Sequence, residues 1–548
     1  MTSSGVAVSA SGAAAEAVSR HVPELVRDGF AGKLFRQDAD LWGAQARSEA
    51  AKRLSWVGLP RSSRPLVGEI AALRSELAEQ AGHDLDHVVL CGMGGSSLAP
   101  EVICATAGVG LTVLDSSHPD YVRAALEDRL DRTVVVVSSK SGSTVETDSQ
   151  RRAYEQAFRD AGIDPTRRMV VVTDPGSPMD KASREAGYPV VNADPDVGGR
   201  YSALTAFGLV PSGLAGVDIE ALLDDAEAVS DLLAADDEAN PALRLGAALG
   251  GTTPLRDKVL LTDAGTEIAG FGDWAEQLIA ESTGKDGTGL LPVVVGSCGP
   301  EQLAGDELRV LLEATDGDEA DPTGDAVSVS GTLGAQLLLW EAAVATAGRL
   351  LGINPFDQPD VESAKQAARD LMAQGGGSTD EPAFTDDAVE VRTLGGDWIG
   401  GATDLGSAVQ ALLDQLDPER GYLAVMAYLD RAADASLATA RPALARRLER
   451  PVTFGWGPRF LHSTGQYHKG GPPTGVYLQV TAAPARDLDV PGQDFTFGVL
   501  IAAQAAGDAQ VLADHGRPVL RLHLTDHDRG LGQLRQAVGI PETAEREA

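Results

Sequence analysis

The chain has 548 residues, of which 80 are acidic and 45 are lysine or arginine, so its formal net charge at pH 7 is -35. This length predicts about three domains with hydrophobic cores of their own. The charge excludes nucleic acid and anionic membrane as expected partners, because their phosphates would be repelled. A small phosphate ester stays compatible with the composition, because it needs only a few local cations. The candidates are Lys140, Arg200, Lys285, Lys365 and Lys469.

Three features of the sequence predict a protein of the cytoplasm. Cys91, Cys104 and Cys298 have neither disulfide nor zinc spacing, which indicates buried small side chains in a reducing compartment. The first 20 residues lack a basic region ahead of an apolar one, so we expect a frayed leader and no secretory signal. The most apolar stretch, residues 334–351, contains polar and charged residues and predicts a buried helix rather than a membrane span.

Short apolar runs alternate with helical patterns along the chain. Such runs are typical of strands buried on both faces of a parallel sheet, and they begin at His87, Leu111, Val134, Met169, Lys258, Pro292, Tyr422, Gly475 and Val519. The sequence therefore predicts an α/β fold with two doubly wound parallel-sheet domains and a smaller C-terminal α/β domain. We expect a site in the crevice between the first two sheets.

The predicted domain boundaries follow changes in composition. Residues 374–393 are rich in Gly, Ser, Thr, Pro and acidic residues, which is typical of a linker or a mobile lid. The predicted segments are a leader with helices (1–60), a first domain (61–215), a second domain (216–373), a linker or lid (374–403) and a C-terminal domain (404–548).

Two loops in the first predicted sheet have the composition of a phosphate site. CGMGGSS follows a strand and places Gly95 and Ser96 where the backbone can approach a ligand, although a tight turn alone would explain it. SSKSGST is the stronger signal, because hydroxyls at the positive end of a helix suit a phosphate monoester; its candidate residues are Ser139, Lys140, Ser141, Ser143 and Thr144. A capped helix with a Ser-rich loop is the structural alternative. Neither loop has a nucleotide-binding pattern.

Three further stretches each contribute one charged candidate for catalysis. DVGGRYSALTAFG contains Arg200, AESTGKDG contains Glu281, and FDQPDVESAK ends at Lys365. A helix is predicted from Glu267 to Ala280, directly before Glu281. A carboxylate, an arginine and a lysine together can move a proton beside a carbonyl while holding an anion. Each also has an ordinary explanation, namely a paired arginine in a turn, a solvated acid at a helix end and a solubilising lysine.

These motifs resemble those of known sugar-phosphate enzymes. GGRYS, ESTGK and FDQPDVESAK resemble the motifs of glucose-6-phosphate isomerases, and GMGGSS with SSKSGST resembles the sugar-phosphate loops of the sugar isomerase (SIS) fold. The resemblance implies interconversion of glucose 6-phosphate and fructose 6-phosphate through a cis-enediol, with no metal and no cofactor. It makes Glu281 the base, directs Arg200 to the enediolate and Gln277 to the substrate, and puts Lys365 near the ring oxygen or O1.

The family's ring-opening histidine has no match at its usual place, because the chain has no histidine between His118 and His462. HSTGQYHKGGP, which is predicted to be a Gly-rich loop after a strand, resembles the isomerase half of transaldolase/phosphoglucose isomerase fusions. We expect its His468 to open the ring, with His462 as the alternative. A ring-opening histidine in the same chain would allow a monomer, so a monomer or a homodimer is expected. The chain also carries Thr283 where the family usually has asparagine.

Two alternatives stay open at this level. One is a dual isomerase that also acts on mannose 6-phosphate. The other is a sugar-phosphate-sensing regulator built on SIS domains, which would need a basic DNA-binding or partner domain that the acidic chain does not display. No His, Asp and Glu cluster has metal-ligand spacing, so a metal-assisted hydride shift is the less favoured route.

Overall fold

The computed structural model describes residues 5–296, 302–315, 322–359, 366, 367, 369, 371, 372 and 381–540. Contacts divide the chain into two compact units. The first unit comprises Met1–Asp115 and Ala125–Asp357, and the second comprises Ser116–Ala124 and Gln358–Ala548. The short segment Ser116–Ala124 therefore belongs with the C-terminal part of the chain.

The first sheet of the first unit is built from valine-rich runs. In chain order, the elements from the N-terminus to the last strand of this sheet are β1 (Val6–Ala10), α1 (Gly12–Arg27), α2 (Phe30–Phe35), α3 (Arg47–Ala50), α4 (Leu59–Ser62), α5 (Pro65–Ala81), β2 (His87–Gly92), α6 (Leu98–Thr106), β3 (Thr112–Leu114), α7 (Pro119–Glu127), β4 (Thr133–Ser138), α8 (Val145–Asp160), β5 (Met169–Thr173), α9 (Pro178–Ala186) and β6 (Val190–Asn192). The strand order is β3-β2-β4-β5-β6, and all pairs are parallel. Strands β2, β4 and β5 are buried throughout, as the continuous apolar runs predict.

The second sheet shares its core with the first. Its elements are α10 (Ala206–Ala215), α11 (Ile219–Leu233), α12 (Pro241–Gly250), β7 (Lys258–Ala264), α13 (Phe271–Thr283), β8 (Leu291–Gly296), β9 (Glu307–Glu313), β10 (Ala326–Gly331) and α14 (Leu333–Leu351). The strand order is β1-β10-β9-β7-β8. One cluster of buried side chains includes Val136 of the first sheet, Leu261 of the second and Leu338 of α14. The two sheets therefore pack as one folded body.

Strand β1 differs from the frayed leader that its composition predicts. Residues Val6–Ala10 pair antiparallel with β10, with Val6 opposite Gly331 and Ala10 opposite Val327. A Cβ atom at Gly331 would lie 2.7 Å from the carbonyl oxygen of Gly5, so this pairing requires a glycine. The partner strand is more than 300 residues away in sequence, and local composition carries no sign of it.

The second unit contains the third sheet. Its elements after residue 380 are β11 (Phe384–Asp386), β12 (Val389–Leu394), α15 (Leu405–Leu413), β13 (Tyr422–Tyr428), α16 (Ala440–Leu448), β14 (Val452–Trp456), α17 (Gly465–Gly470), β15 (Gly475–Ala482), α18 (Phe497–Asp514), β16 (Val519–Leu524) and α19 (His527–Val538). The order is β11-β12-β16-β15-β13-β14, with β12 antiparallel to β16 and with β16, β15, β13 and β14 parallel. Strands β11 and β12 come from the stretch 374–403 that composition associates with a linker or lid.

All three sheets wind in the same order. In each, the first parallel strand lies between the second and the third, and the fourth lies beyond the third. The direction of winding reverses between β2 and β4, between β7 and β9, and between β13 and β15. Ligands of such sheets bind outside the carboxyl ends of the strands at this reversal, which is called the switch point. The predicted fold class, two doubly wound sheets plus a smaller C-terminal α/β domain, is confirmed.

The apolar stretch and two of the cysteines behave as predicted. Helix α14 is buried over most of its length, and none of the helices in the described ranges is long and apolar enough to cross a membrane. Cys91 in β2 and Cys104 in α6 are buried free thiols, and burial raises the pKa of the Cys104 thiol to about 11. Cys298 lies outside the described residues.

Candidate active site

Helix α13 carries the predicted base. The sequence predicts that this helix ends at Ala280, but it continues to Thr283 and is followed by Gly284. The Thr283 hydroxyl accepts from the backbone N–H of Leu290 at 2.9 Å and donates to the Ile279 carbonyl at 2.8 Å, which holds the extra turn in place. Glu281 therefore lies in the last turn of the helix and not in the loop after it.

Glu281 is a buried carboxylate with two polar neighbours. It is 8% exposed, and its Oε2 accepts a hydrogen bond of 3.0 Å from Nε2 of Gln277, four residues earlier on the same helix face. Its Oε1 lies 3.4 Å from Nη1 of Arg200. A buried carboxylate needs such partners, because water no longer solvates its charge.

The guanidinium of Arg200 is held from several directions. The residue is 2% exposed and lies in a 3₁₀ turn, Gly199–Tyr201. Its Nε donates to the Ser282 hydroxyl at 2.8 Å, and its Nη2 donates to the carbonyls of Pro355 at 2.7 Å and Asp357 at 3.0 Å. These contacts fix the plane of the guanidinium and direct Nη1 at Glu281.

The GMGGSS loop packs on the backbone of the arginine turn. A Cβ atom at Gly95 would lie 2.0 Å from the carbonyl oxygen of Gly199, so only glycine fits there. Ser202 donates a 2.6 Å hydrogen bond to the Gly199 carbonyl and lies 3.3 Å from the Gly95 carbonyl. Ser96 is buried beside Gly95. The close approach predicted for Gly95 is thus made to another loop of the same unit, and it supports the position of Arg200.

The SSKSGST loop presents hydroxyls before α8. Ser139 and Thr144 bond to each other through their hydroxyls at 3.1 Å, and Ser139 also accepts from the N–H of Gly142. Ser141 and Ser143 are exposed and joined by a 3.1 Å hydrogen bond. The loop is pre-shaped, with its outer hydroxyls open to solvent at the positive end of a helix.

Lys140 is oriented by an acid and a carbonyl. Its Nζ lies 2.7 Å from Oδ2 of Asp174 and donates to the Pro195 carbonyl at 3.2 Å. Partial burial lowers the pKa of Lys140 and raises the pKa of Asp174, and in each case the opposite charge of the partner counteracts the effect. The loop is thereby tied to the segment that leads into GGRYS.

Lys285, the lysine of the ESTGK motif, is buried beside this constellation. It is 1% exposed, and its Nζ donates to the carbonyls of Asn354 and Asp357 and to Oδ1 of Asp357. Burial, followed by the charge of Arg200, lowers its pKa to about 8, and Asp357 opposes this shift. The sequence identified Lys285 only as one of several local cations, because its acceptors are mostly backbone carbonyls that have no sequence signature.

Comparison with known proteins agrees with this geometry. Residues 69–249 match the family model of phosphoglucose isomerase. A protein of Haloarcula marismortui named "Probable glucose-6-phosphate isomerase" is 30% identical over 362 residues, which cover 56% of this chain and 83% of the relative. One with the same name from Natronomonas pharaonis is 32% identical over 359 residues, or 55% of this chain and 82% of the relative.

The chain belongs to the phosphoglucose isomerase family. The solved structure of a hypothetical protein from Thermus thermophilus has a similar fold, with a TM-score of 0.55 and 24% identity over 67% of this chain and all of that one. For a phosphoglucose isomerase, Glu281, Arg200 and Gln277 are the residues that the motifs single out, and the structure brings these three together. Lys365, the fourth, lies outside the described residues.

The candidate ring-opening histidine of this phosphoglucose isomerase family member lies in the interior of the second unit. The sequence predicts that His468 is in a Gly-rich loop, whereas it occupies the short helix α17. The ring is 3% exposed, its Nδ1 is 2.9 Å from the hydroxyl of Tyr422, and it stacks on the Tyr422 ring. Burial, followed by the charges of Lys469 and Arg517, lowers the pKa of His468 to about 3, so the ring is neutral at physiological pH.

Lys469, another cation of the sequence motifs, is neutralised locally. Its Nζ lies 2.6 Å from Oδ1 of Asp508, and both side chains are almost fully buried. His462, the alternative to His468, lies in the 3₁₀ turn Arg459–His462 and is half-buried. The pairing of Lys469 with Asp508 could not be read from the sequence, because the two residues lie on different helices.

Proposed function

We propose that the chain interconverts glucose 6-phosphate and fructose 6-phosphate by proton transfer through a cis-enediol, without a metal ion. Glu281 is the base. The observation that carries the proposal is its buried carboxylate, with the Arg200 guanidinium 3.4 Å from one oxygen and the Gln277 amide 3.0 Å from the other. Membership of the phosphoglucose isomerase family supports the same substrate pair.

The reaction needs one base that acts on one face of the sugar. The Glu281 carboxylate takes the proton from C2 of the open-chain aldose, the electron pair forms the C1–C2 double bond, and the electrons of the C1–O1 double bond move to O1, which gives the enediolate. A proton passes from O2 to O1, the carboxyl group returns its proton to C1, and C2 becomes the carbonyl. Overall, one hydrogen moves from C2 to C1 and another from O2 to O1, so no oxidant or reductant is required.

Arg200 supports this chemistry by electrostatics. Negative charge develops on O1 and O2 as the enediolate forms, and a guanidinium that is already fixed in place stabilises it without reorganising. Two further groups act on Glu281: the amide N–H of Gln277, which donates to it, and the positive charge of Lys285. An N–H donor and positive charges suit an anionic intermediate and disfavour a divalent cation at the same position, which is why we propose a metal-independent route.

The SSKSGST loop is proposed as the phosphate subsite. Its exposed hydroxyls, Ser141 and Ser143, and the N-terminus of α8 supply donors, and Thr144 and Lys140 complete the set. Lys365 stays a prediction for O1 or the ring oxygen, and His468 stays a prediction for ring opening. Because His468 is also a buried part of the second unit, its test must separate turnover from folding.

A coupled assay with fructose 6-phosphate, with and without EDTA, tests the proposal. We expect turnover that the chelator leaves unchanged, and no turnover of fructose without its phosphate. Strict dependence on an added divalent metal would contradict the enediol route. Binding without turnover would instead support a sugar-phosphate sensor, and equal turnover of mannose 6-phosphate would support a dual isomerase.

A further inference from the structure

Lys285 uses every hydrogen that its ammonium group can donate. Its Nζ lies 2.8 Å from the Asn354 carbonyl oxygen, 2.5 Å from the Asp357 carbonyl oxygen and 2.8 Å from Asp357 Oδ1. An ammonium has three N–H groups and no acceptor, so these three partners saturate it. The side chain therefore has no N–H left for a substrate, and any effect on the reaction must pass through the residues it holds.

Those residues also hold Arg200. We call residues 354–357 the NPFD segment. Arg200 Nη2 donates to the carbonyl oxygens of Pro355 and Asp357 in this segment. The Asp357 carbonyl oxygen therefore accepts from both Arg200 and Lys285. The segment is stiff, because Asn354 Oδ1 accepts from the N–H of Phe356 and the Phe356 ring packs edge-on against Trp42 at 4.8 Å. Lys285 and Arg200 thus both donate hydrogen bonds to the same rigid segment.

The charges around Glu281 give Lys285 a second effect. Arg200 and Lys285 carry two positive charges, and Glu281 and Asp357 carry two negative ones, so the resting constellation is balanced. When Glu281 accepts the C2 proton, the constellation gains one net positive charge at the moment when the enediolate becomes negative. Without Lys285 that surplus charge would be missing, and a neutral constellation would face the anion.

We infer that Lys285 is a positioning residue of the reaction: it fixes the NPFD segment so that Arg200 stays directed at Glu281, and it supplies the balancing charge. This inference rests on the proposed isomerase function. It does not make Lys285 a catalytic residue, because its donors are all used by the protein.

The role has a signature on the alkaline side of the pH profile. The charged groups that face Lys285 are Arg200, Asp357 and Glu281, and burial together with Arg200 lowers its pKa to about 8. As pH rises through that value, the ammonium becomes an amine with two N–H groups, so one of the three bonds and the positive charge are lost. We therefore expect kcat to fall above about pH 8.

The test compares Lys285→Met and Lys285→Arg with the full-length wild type. Lys285→Met should lower kcat about 100-fold at pH 7 and leave KM within about threefold. The reason is that a displacement of Arg200 by about 1 Å can lower the rate about 100-fold. Lys285→Arg should recover at least tenfold of the loss and should lack the alkaline fall, because arginine stays charged. If the wild-type enzyme were inactive unless a divalent metal was added, the proposed function would be refuted. If the wild type were active and the kcat of Lys285→Met lay within threefold of it, only this inference would be overturned.

A second variant keeps the test valid if Lys285→Met does not fold. Asp357→Asn retains the carbonyl that both cations bind and removes the negative charge that raises the pKa of Lys285. The alkaline fall in kcat should therefore move to lower pH in Asp357→Asn. An alkaline limb at the wild-type position in this variant would overturn the inference.

Discussion

The parallel strands of the first and third sheets have the same order, but the loops that line their switch-point crevices differ. In the first sheet, the loops after β2 and β4 carry Gly95 and the hydroxyls of the SSKSGST loop. In the third sheet, the loops after β13 and β15 hold a segment of the chain itself, Ser116–Ala124. We call these two places the first crevice and the third crevice.

The contacts in the third crevice are specific. Arg123 Nη2 donates to the carbonyls of Arg486 at 2.6 Å and Asp487 at 2.8 Å, directly after β15. Asp120 Oδ2 accepts from the N–H of Ala485 at 3.1 Å. Arg431, which follows β13, donates to the Tyr121 hydroxyl at 3.3 Å. The chain segment thus occupies the place that a small ligand takes in other sheets of this winding.

The comparison indicates that the strand order determines where a crevice forms, whereas the loop residues determine what binds in it. The loops of the first crevice present small side chains and exposed hydroxyls, whereas the loops of the third present Arg431 and backbone carbonyl and N–H groups, which bind the chain segment. We therefore predict that sugar phosphate binds at the first crevice and leaves the third unaffected.

The sharpest contrast is between one arginine beside each crevice. Arg200→Met should lower kcat by roughly 10²–10³-fold, because it removes a fixed charge from the enediolate. Arg431→Met, in the third crevice, should leave kcat and KM within about twofold. Steady-state kinetics on both variants checks the contrast, and a loss in Arg431→Met equal to that in Arg200→Met would break it.

His468 should make the second unit sensitive to acid. The folded ring has its pKa lowered to about 3, so between about pH 6.5 and pH 3 the unfolded chain binds a proton that the folded chain does not. The free energy of unfolding should therefore fall by up to about 4 kcal/mol as pH drops through this window. Hydrogen exchange of amides in β13 and β15, measured against pH, follows this loss.

His468→Gln should reduce that acid-dependent loss by the share of His468; burial also lowers the pKa of His118 and His523 in the same unit, and their share should remain. His83→Gln, which changes an exposed histidine, should retain the whole loss. The same variant tests ring opening, if it remains folded at pH 7. His468→Gln should slow turnover of the cyclic sugar phosphate more than exchange on the open-chain form, with anomer interconversion measured by NMR. Both rates at the wild-type value would remove His468 from ring opening.

The hydroxyls of the first crevice should contribute smaller, separable amounts. Ser141→Ala and Thr144→Ala should each weaken sugar-phosphate binding by about 1–2 kcal/mol, because each removes one bond to a charged group. Inorganic phosphate should compete with the substrate in the wild type. Calorimetry measures the sugar-phosphate affinity of both loop variants and of Ser75→Ala, a control on an exposed helix surface. An unchanged affinity in both loop variants would refute the phosphate subsite.

The third crevice should show the smallest effect, and only in local stability. Arg123→Met should release the Ser116–Ala124 segment by about 1 kcal/mol, seen as roughly fivefold faster amide exchange there. Sugar-phosphate affinity should not change. Arg129→Met, an exposed arginine paired with Asp128, is the control; a changed affinity in Arg123→Met alone would mean that the third crevice also serves the substrate.

The sequence predicts best where the signal is local. Continuous valine runs identify β2, β4 and β5, and the motifs select Glu281, Arg200 and Gln277, whose side chains the structure brings together, because each signal depends on a few neighbouring residues. The contacts that were missed are long-range. Strand β1 pairs across more than 300 residues.

Side-chain contacts that belong to no sequence motif could not be predicted either. Lys285 binds two backbone carbonyls, and any residue supplies a carbonyl. His468 is neutral because it is buried beside Tyr422 in a core, although its motif predicts a Gly-rich loop. Burial and charge balance arise only when distant segments meet, so the chemistry of these residues could not be derived from their spacing.

The central claim is that Glu281 moves the proton, and solvent-deuterium exchange tests it most directly. Wild-type protein in D₂O should incorporate deuterium at C1 and C2 of the sugar phosphate during turnover. Glu281→Gln keeps the shape of the side chain and should lose this incorporation while sugar-phosphate affinity stays within about tenfold. Asp273→Asn, which alters an exposed acid on the same helix, should exchange like the wild type. Persistent exchange in Glu281→Gln would contradict the account.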